Sequence, residues 1–286
     1  MPAGIAQRIG ALVGVPVADF RPAGAQHGYR HLTGTLTDGR GVFVKAAGSG
    51  GQAAAFAAEA NGLRWLAEAD ALPVPKVLGA DENLLVIELL PAGEPTQDAA
   101  EDFGAGLARM HAAGAPSFGA PWPGYIASLP LANTPGTEWG SWYAEHRLVP
   151  YLRMARDRGA LSGADVSLVE TVAGRIGELA GPPEPPSRIH GDLWSGNVLW
   201  SGGRGWLIDP AAHGGHRETD LAMLALFGAP HLDRITRAYA AAVPLADGYR
   251  RRVPLHQLHP LLVHVCLFGG SYASQLRAAA RAALAA

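Results

Sequence analysis

Between positions 188 and 210 the chain reads RIHGDLWSGNVLWSGGRGWLIDP, and this stretch restricts the fold more than any other. Residues 198–200 (VLW) and 206–208 (WLI) are short apolar runs of strand-forming type, separated by SGGRG. Two such runs around glycines predict a β-hairpin. Closing it sets Asn197, before the first strand, beside Asp209, after the second. His190 and Asp192 sit in the turn leading in. Two carboxylates and an amide are thereby gathered at one end of a hairpin. Like charges so close disfavour their own ionisation unless something positive lies between them. A tight turn capped by Asp and Asn side chains is the alternative reading.

An amide and a carboxylate are both oxygen donors and suit Mg²⁺, which keeps waters and shares phosphate oxygens. Asn197 and Asp209 are the expected metal ligands, leaving Asp192 free to accept a proton. A metal held by Asp and Asn, with a further Asp facing an alcohol, is the phosphoryl-transfer arrangement. The spacing H-G-D-x-x-x-x-N, an apolar pair, then D matches the protein-kinase catalytic loop, with Gly191 where those kinases usually carry Arg. Upstream, VFVK places Lys45 on an apolar strand, as a phosphate-binding lysine requires. Taken alone, Lys45 reads first as a snorkelling surface lysine. Only Lys45 and Lys76 are lysines in a chain otherwise rich in Arg, which points to a need for a compact ammonium at those positions. Glu59 on the next helix is the expected partner of Lys45, with Glu68 as competitor. Residues 24–28, with Gly24, Gln26, His27 and Gly28, read as a turn whose backbone N–H groups would cover phosphates. Residues 88–90 (ELL) read as the hinge meeting adenine through Glu88 and Leu90, or else as an edge strand.

The 286 residues suffice for one large domain or two modest lobes. With 48% hydrophobic and 17% charged residues the chain should be globular. A formal net charge of −2 offers no footprint for nucleic acid or an anionic membrane. Cys266 is the single cysteine, so no intrachain disulfide forms, which favours a reducing, cytoplasmic setting. No signal peptide or bilayer-length apolar run is seen. A short helix over 2–14, strands broken at 24–28 and at Asp38-Gly39, a helix over 52–69 and two strands around 81–83 make the first ninety residues a small antiparallel sheet with one main helix. Thr96 should cap the next helix. Residues 115–136 read as a long ordered loop, followed by helices near 138–157 and 162–180 and a mostly helical stretch over 218–286. The expected fold class is α+β: a sheet lobe over 1–90 and a larger helical lobe over 91–286, the bilobal protein-kinase-like plan.

These residues resemble the fructosamine (ketosamine) kinases, within the wider group of protein-kinase-like small-molecule kinases. HGDLWSGNVLW is similar to that family's catalytic loop. DPAAHGGHRETDLAMLALFG resembles its metal-site segment, and IASLPLAN…WGSWYAEHRL a third segment. The family usually has Gly at position 127 and Gln at 131, where Ala127 and Leu131 stand here, and aromatics at the place of His213. The resemblance implies ATP- and Mg²⁺-dependent phosphorylation of the O3 hydroxyl of a ketosamine, free or on a protein lysine, with Asp192 as base and a deglycation role. It implies that Trp194 offers an apolar face to the sugar, core packing being the alternative. His216 and Arg217 are expected at the substrate mouth, or else in a structural ion-pair cluster with Glu218. Asp220 should hold backbone N–H groups of the loop containing His190, or act as a simple helix-terminal carboxylate. Aminoglycoside, choline or homoserine phosphorylation by the same chemistry is the alternative activity, and a non-catalytic binding module a further one. Oligomeric state is not legible.

Overall fold

The structure, a computed structural model, describes residues 3–26, 28–48 and 53–286. Helix α1 (Ala3–Val13) precedes strands β1 (Val17–Gln26), β2 (Tyr29–Leu36) and β3 (Gly41–Ala47). Helix α2 (Ala53–Ala67) then leads to β4 (Val77–Ala80) and β5 (Leu84–Glu88). The five strands form one antiparallel sheet in the order β1-β2-β3-β5-β4. Side chains alternate across a strand, and that alternation divides β3. Val42 and Val44 pack with Ile5 and Ile9 of α1, while Phe43 packs on the opposite side with Phe56 and Leu63 of α2. Lys45, in step with Phe43, therefore points toward α2.

The helical lobe begins at α3 (Gln97–Ala112), whose first turn is capped by Thr96 accepting from the Ala99 N–H at 3.2 Å. It continues through β6 (Gly124–Ile126), β7 (Leu129–Leu131), α4 (Trp139–Tyr143), a π-helical turn (Ala144–Leu148), α5 (Val149–Asp157), α6 (Gly163–Gly174) and α7 (Ile176–Leu179). Strand β8 (Ser187–Ile189), a 3-10 turn (Ser195–Asn197), β9 (Val198–Ser201), β10 (Arg204–Leu207) and β11 (His213–Gly215) follow. The chain ends in α8 (Glu218–Phe227), α9 (Leu232–Ala242), α10 (Tyr249–Phe268), a 3-10 turn (Gly269–Tyr272) and α11 (Ala273–Leu284). Buried α10 runs through the main core with Leu148, Tyr151, Leu152 and Leu276 around it. Pro260 cannot donate to the carbonyl one turn back, and the Tyr143 hydroxyl donates to that His256 carbonyl instead, at 3.2 Å.

Three details differ from the sequence expectation. The β9–β10 hairpin closes on a two-residue turn, Gly202-Gly203, both at positive φ (56° and 73°), rather than a five-residue loop. Residues 115–136 hold the β6–β7 hairpin, whose three-residue strands GYI and LPL are too short to show a period of two. Gly24 lies inside β1, at a break in register beside Pro22, and the first turn is confined between Gln26 and Tyr29.

Candidate active site

The catalytic loop is held from beneath. The carboxylate of Asp220, fully buried at the start of α8, accepts the N–H groups of His190 (2.7 Å) and Gly191 (2.9 Å). It also meets His111 Nε2 of α3 at 3.1 Å, and His111 Nδ1 meets the Tyr239 hydroxyl of α9 at 2.8 Å. Burial opposes charge on Asp220, but His111, His190 and the loop N–H groups hold its carboxyl below the usual range. His190 joins the loop to the hairpin: Nε2–H donates to the Ile208 carbonyl (2.9 Å), and Nδ1 accepts the Asp192 N–H (3.2 Å). Gly191 has φ of 80°, and a Cβ there would lie 2.4 Å from the Ala211 carbonyl oxygen. The Arg of protein kinases has no room at this position.

Asn197 donates through Nδ2 to the Asp192 carbonyl (2.8 Å) and to Asp192 Oδ2 (3.0 Å), leaving its amide oxygen as an acceptor. Burial lifts the Asp192 carboxyl to about 7, the Asn197 hydrogen bond opposes this, and the carboxylates of Asp209 and Asp220 add to it. Asp209 follows the hairpin with φ of 54°, an uncommon conformation for a residue other than glycine. Its Oδ1 accepts from Lys45 Nζ at 2.6 Å, and its side chain is 37% exposed. Lys45 also donates to both Glu59 oxygens, at 2.8 and 2.9 Å. Burial works against the ammonium, yet Glu59 and Asp209 together hold it above its ordinary value. Glu59 is thus the partner of Lys45. Glu68 instead reaches Arg188 at 3.3 Å and is largely exposed.

Two adjoining cavities open between the lobes, sharing Gln26, His31, Trp194, Asn197 and Asp209 as walls. One is walled by Phe43, Ile87, Leu199 and Ile208 and by residues 88–90, with Glu88 and Leu90 among them. The other contains Lys45, Glu59 and Asp192 and is faced by Trp122, Tyr125 and Ala127 of the 115–136 segment. Trp194 is 37% exposed and stands edge-on to Phe227 with ring centroids 6.4 Å apart. It is a cavity wall, and core packing is excluded.

Other expected site residues lie elsewhere. His216 is 2% exposed, packed against Trp139 and His256, and Arg217 forks onto Glu184 with two 2.6 Å bonds. Neither faces either cavity, which corrects their placement at the substrate mouth. The chain turns at the end of β11 into α8 and carries them behind the loop. Nitrogen and oxygen atoms of His216, Glu218 and His256 come within 4.8 Å of one another, as in a metal site. Arg252 takes both Glu218 oxygens, at 2.9 and 2.6 Å, so the set is closed by an ion pair. Gly24 and Gly28 line neither cavity; only Gln26 of that turn does, and His27 lies outside the described residues. Sequence reasoning missed the His111–Tyr239 support and the aromatic wall at 122–127. The turn dipeptide at 127–128 carries no glycine, and buried histidines have no spacing that reveals a partner.

A small antiparallel sheet bearing a Lys–Glu pair, over a helical lobe presenting Asp, Asn and Asp, defines a protein-kinase-like phosphotransferase. The fructosamine kinase family profile matches residues 21–286. "Probable ketoamine kinase YniA" of Escherichia coli K12 is 35% identical over 222 residues, covering 76% of each chain. "Probable ketoamine kinase slr1563" of Synechocystis is 32% identical over 278 residues, 95% of this chain and 92% of the relative. The crystal structure of a candidate fructosamine-3-kinase from Thermobifida fusca superimposes with a TM-score of 0.97 at 53% identity, covering 100% of both chains. A macrolide 2'-phosphotransferase type I shares the fold, with a TM-score of 0.64 at 19% identity and 97% of each chain covered. The chain belongs to the fructosamine kinase family and is an ATP-dependent kinase with a ketosamine-type acceptor. Among the described residues no helix is long and apolar enough to cross a membrane.

Proposed function

We propose that the protein phosphorylates the O3 hydroxyl of ketosamines, adducts of a sugar with an amine, free or on a protein lysine, and so serves deglycation. The observation that carries this reading is the meeting of Asp192, Asn197, Asp209 and Lys45 in one cleft beside an aromatic wall. In this reading the sheet lobe, residues 1–90, holds ATP and residues 91–286 supply the base and the acceptor site. The adenine lies between Phe43, Ile87, Leu199 and Ile208, against the backbone of Glu88 and Leu90. Lys45, fixed by Glu59, meets the phosphates.

The donor set fits Mg²⁺: an exposed oxygen-bearing carboxylate at Asp209 and the free amide oxygen of Asn197. Bound there, the ion would neutralise phosphate charge as the phosphoryl group transfers. Asp192 accepts the proton of the acceptor hydroxyl. A carboxyl lifted to about 7 is matched to that task near neutral pH. Trp194 gives the sugar ring an apolar face. The experiment is mass spectrometry of reactions with ATP and Mg²⁺ on ribulosamine, fructosamine, erythrulosamine, an aminoglycoside and choline. One phosphoryl added to ketosamines is the expected result; a gain on the aminoglycoside or choline alone would reject the reading.

A further inference from the structure

The β6–β7 hairpin belongs to no part of the phosphoryl-transfer motif, yet Gly124, Tyr125, Ile126 and Ala127 all face the cavity that holds Asp192. Pairing of Ile126 with Leu129 makes Ala127-Ser128 its two-residue turn. Ala127 has φ of 50°, which glycine adopts freely and alanine does not. The chain accepts that strain and keeps a methyl group on the cavity wall. Backbone strain of this kind gathers at ligand-contacting positions.

The hairpin is fastened from behind by one helical segment. Pro150 lacks the N–H that would bond the His146 carbonyl, and the ladder widens into the π turn Ala144–Leu148, with the Val149 N–H reaching Ala144. This turn brings Arg147 inside, where it is 1% exposed. Its guanidinium covers the His146 carbonyl at 3.2 Å, donates to the Ala132 carbonyl, and donates to Asn133 Oδ1 at 2.9 Å. Asn133 reaches the Trp122 carbonyl at 3.4 Å, and the Tyr151 hydroxyl donates to the Pro130 carbonyl at 2.7 Å. Among the described residues Arg147 has no carboxylate partner, and burial pushes its guanidinium down to about 10. Its guanidinium also lies over the Trp142 ring, 4.3 Å from the centroid, and a buried cation held by neutral oxygens and a ring face, without a carboxylate, is a costly fastening whose object is the cavity wall.

We propose that the β6–β7 hairpin gauges the acceptor sugar: Ala127 sets how long a carbon chain fits, and Arg147 is the positioning residue that fixes the wall. The inference rests on the ketosamine reading. A sugar hydroxyl presented to Asp192 leaves the rest of its carbon chain between Trp194 and this hairpin. Removing the Ala127 methyl deepens that space and relieves the backbone strain, so Ala127→Gly folds at least as well as the parent.

The test compares kcat/KM for erythrulosamine, ribulosamine and fructosamine adducts of one amine, in the wild type, Ala127→Gly, Arg147→Met and Arg147→Lys. A methylene in a fitted pocket discriminates by about 10- to 200-fold, so Ala127→Gly should raise the fructosamine-to-erythrulosamine ratio by about fivefold or more. Its KM for ATP should stay within about twofold. Arg147→Met should raise acceptor KM for all three with kcat little changed, and Arg147→Lys should recover part of the loss. An unchanged ratio in Ala127→Gly, with the wild type active, overturns the assignment to Ala127. A fall in kcat at constant KM overturns the role of Arg147. No turnover of any ketosamine by the wild type removes the ketosamine reading itself and this one with it.

Discussion

Asp192 carries two opposed consequences of one environment. Burial and the neighbouring Asp209 and Asp220 carboxylates lift its acid form to about 7 from the ordinary 3.8. With Asp192 as the base, reaction needs it unprotonated, so kcat/KM, which follows the titration of the free enzyme, should rise with pH through about 7 and level above it, and Asp192→Asn should remove both that rise and roughly 10²–10⁴ of the rate. A flat profile in the wild type would displace Asp192 as base. Stability runs the other way. The folded state binds this proton more tightly than the unfolded chain, so ionisation destabilises the fold as pH climbs from about 4 to 7. Asp192→Asn should therefore raise Tm at pH 8 and leave it nearly unchanged at pH 4, read by thermal melts of the ligand-free protein. Asp192, Asn197, Asp209 and Lys45 were legible because their spacing and strand context are encoded locally. His216 and Arg217 were not, since closeness to Asp209 along the chain does not say which side of the loop a side chain takes. The choice between Glu59 and Glu68 likewise needed the helix's rotation against β3.

Elements were legible wherever period and caps agreed. The sheet, α2, the Thr96 cap and the β9–β10 hairpin all follow from alternation, glycine and capping residues. The strands at 124–131 and the short β8–β11 pair were not, because three residues show no period and their partners lie far along the chain. Contact between helices was also hidden. Gly104 of α3 lies against α9, where an added Cβ would come within 2.2 Å of the Ile235 carbonyl oxygen. That neighbour is backbone and cannot swing aside. Gly104→Ala should thus separate α3 from α9 and destabilise the protein by about 1–3 kcal/mol despite alanine's better helix propensity. Because α3 and α9 supply His111 and Tyr239 beneath Asp220, turnover should fall as well. Chemical denaturation with an unchanged midpoint would refute this packing argument.

At the scale of the molecule, the lobes are joined before any ligand arrives. Leu207 N–H of the helical lobe donates to the Pro73 carbonyl of the sheet lobe at 3.0 Å. Arg188 lies over the Trp65 ring, and Lys45 bridges β3 and α2 to Asp209. The cleft between them holds Glu59, Asp192 and Asp209 against the single lysine, a balance that repels a bare triphosphate. In the proposed reading, a divalent ion held by Asp209 and Asn197 would reverse that balance. At about 100 times its Kd, a ligand bound only by the folded state stabilises it by about 2.7 kcal/mol. For a chain of 286 residues that corresponds to a Tm rise of about 4–5 °C. MgATP should give this rise, ATP with a chelator a much smaller one, and Lys45→Ala should lower the ligand-free Tm while abolishing most of the MgATP shift. Removing Lys45 leaves two acids without their cation and leaves the phosphates without theirs. Equal shifts with and without Mg²⁺ would mean that Asp209 and Asn197 do not share a metal with the nucleotide. A full MgATP shift in Lys45→Ala would mean that the triphosphate is held elsewhere.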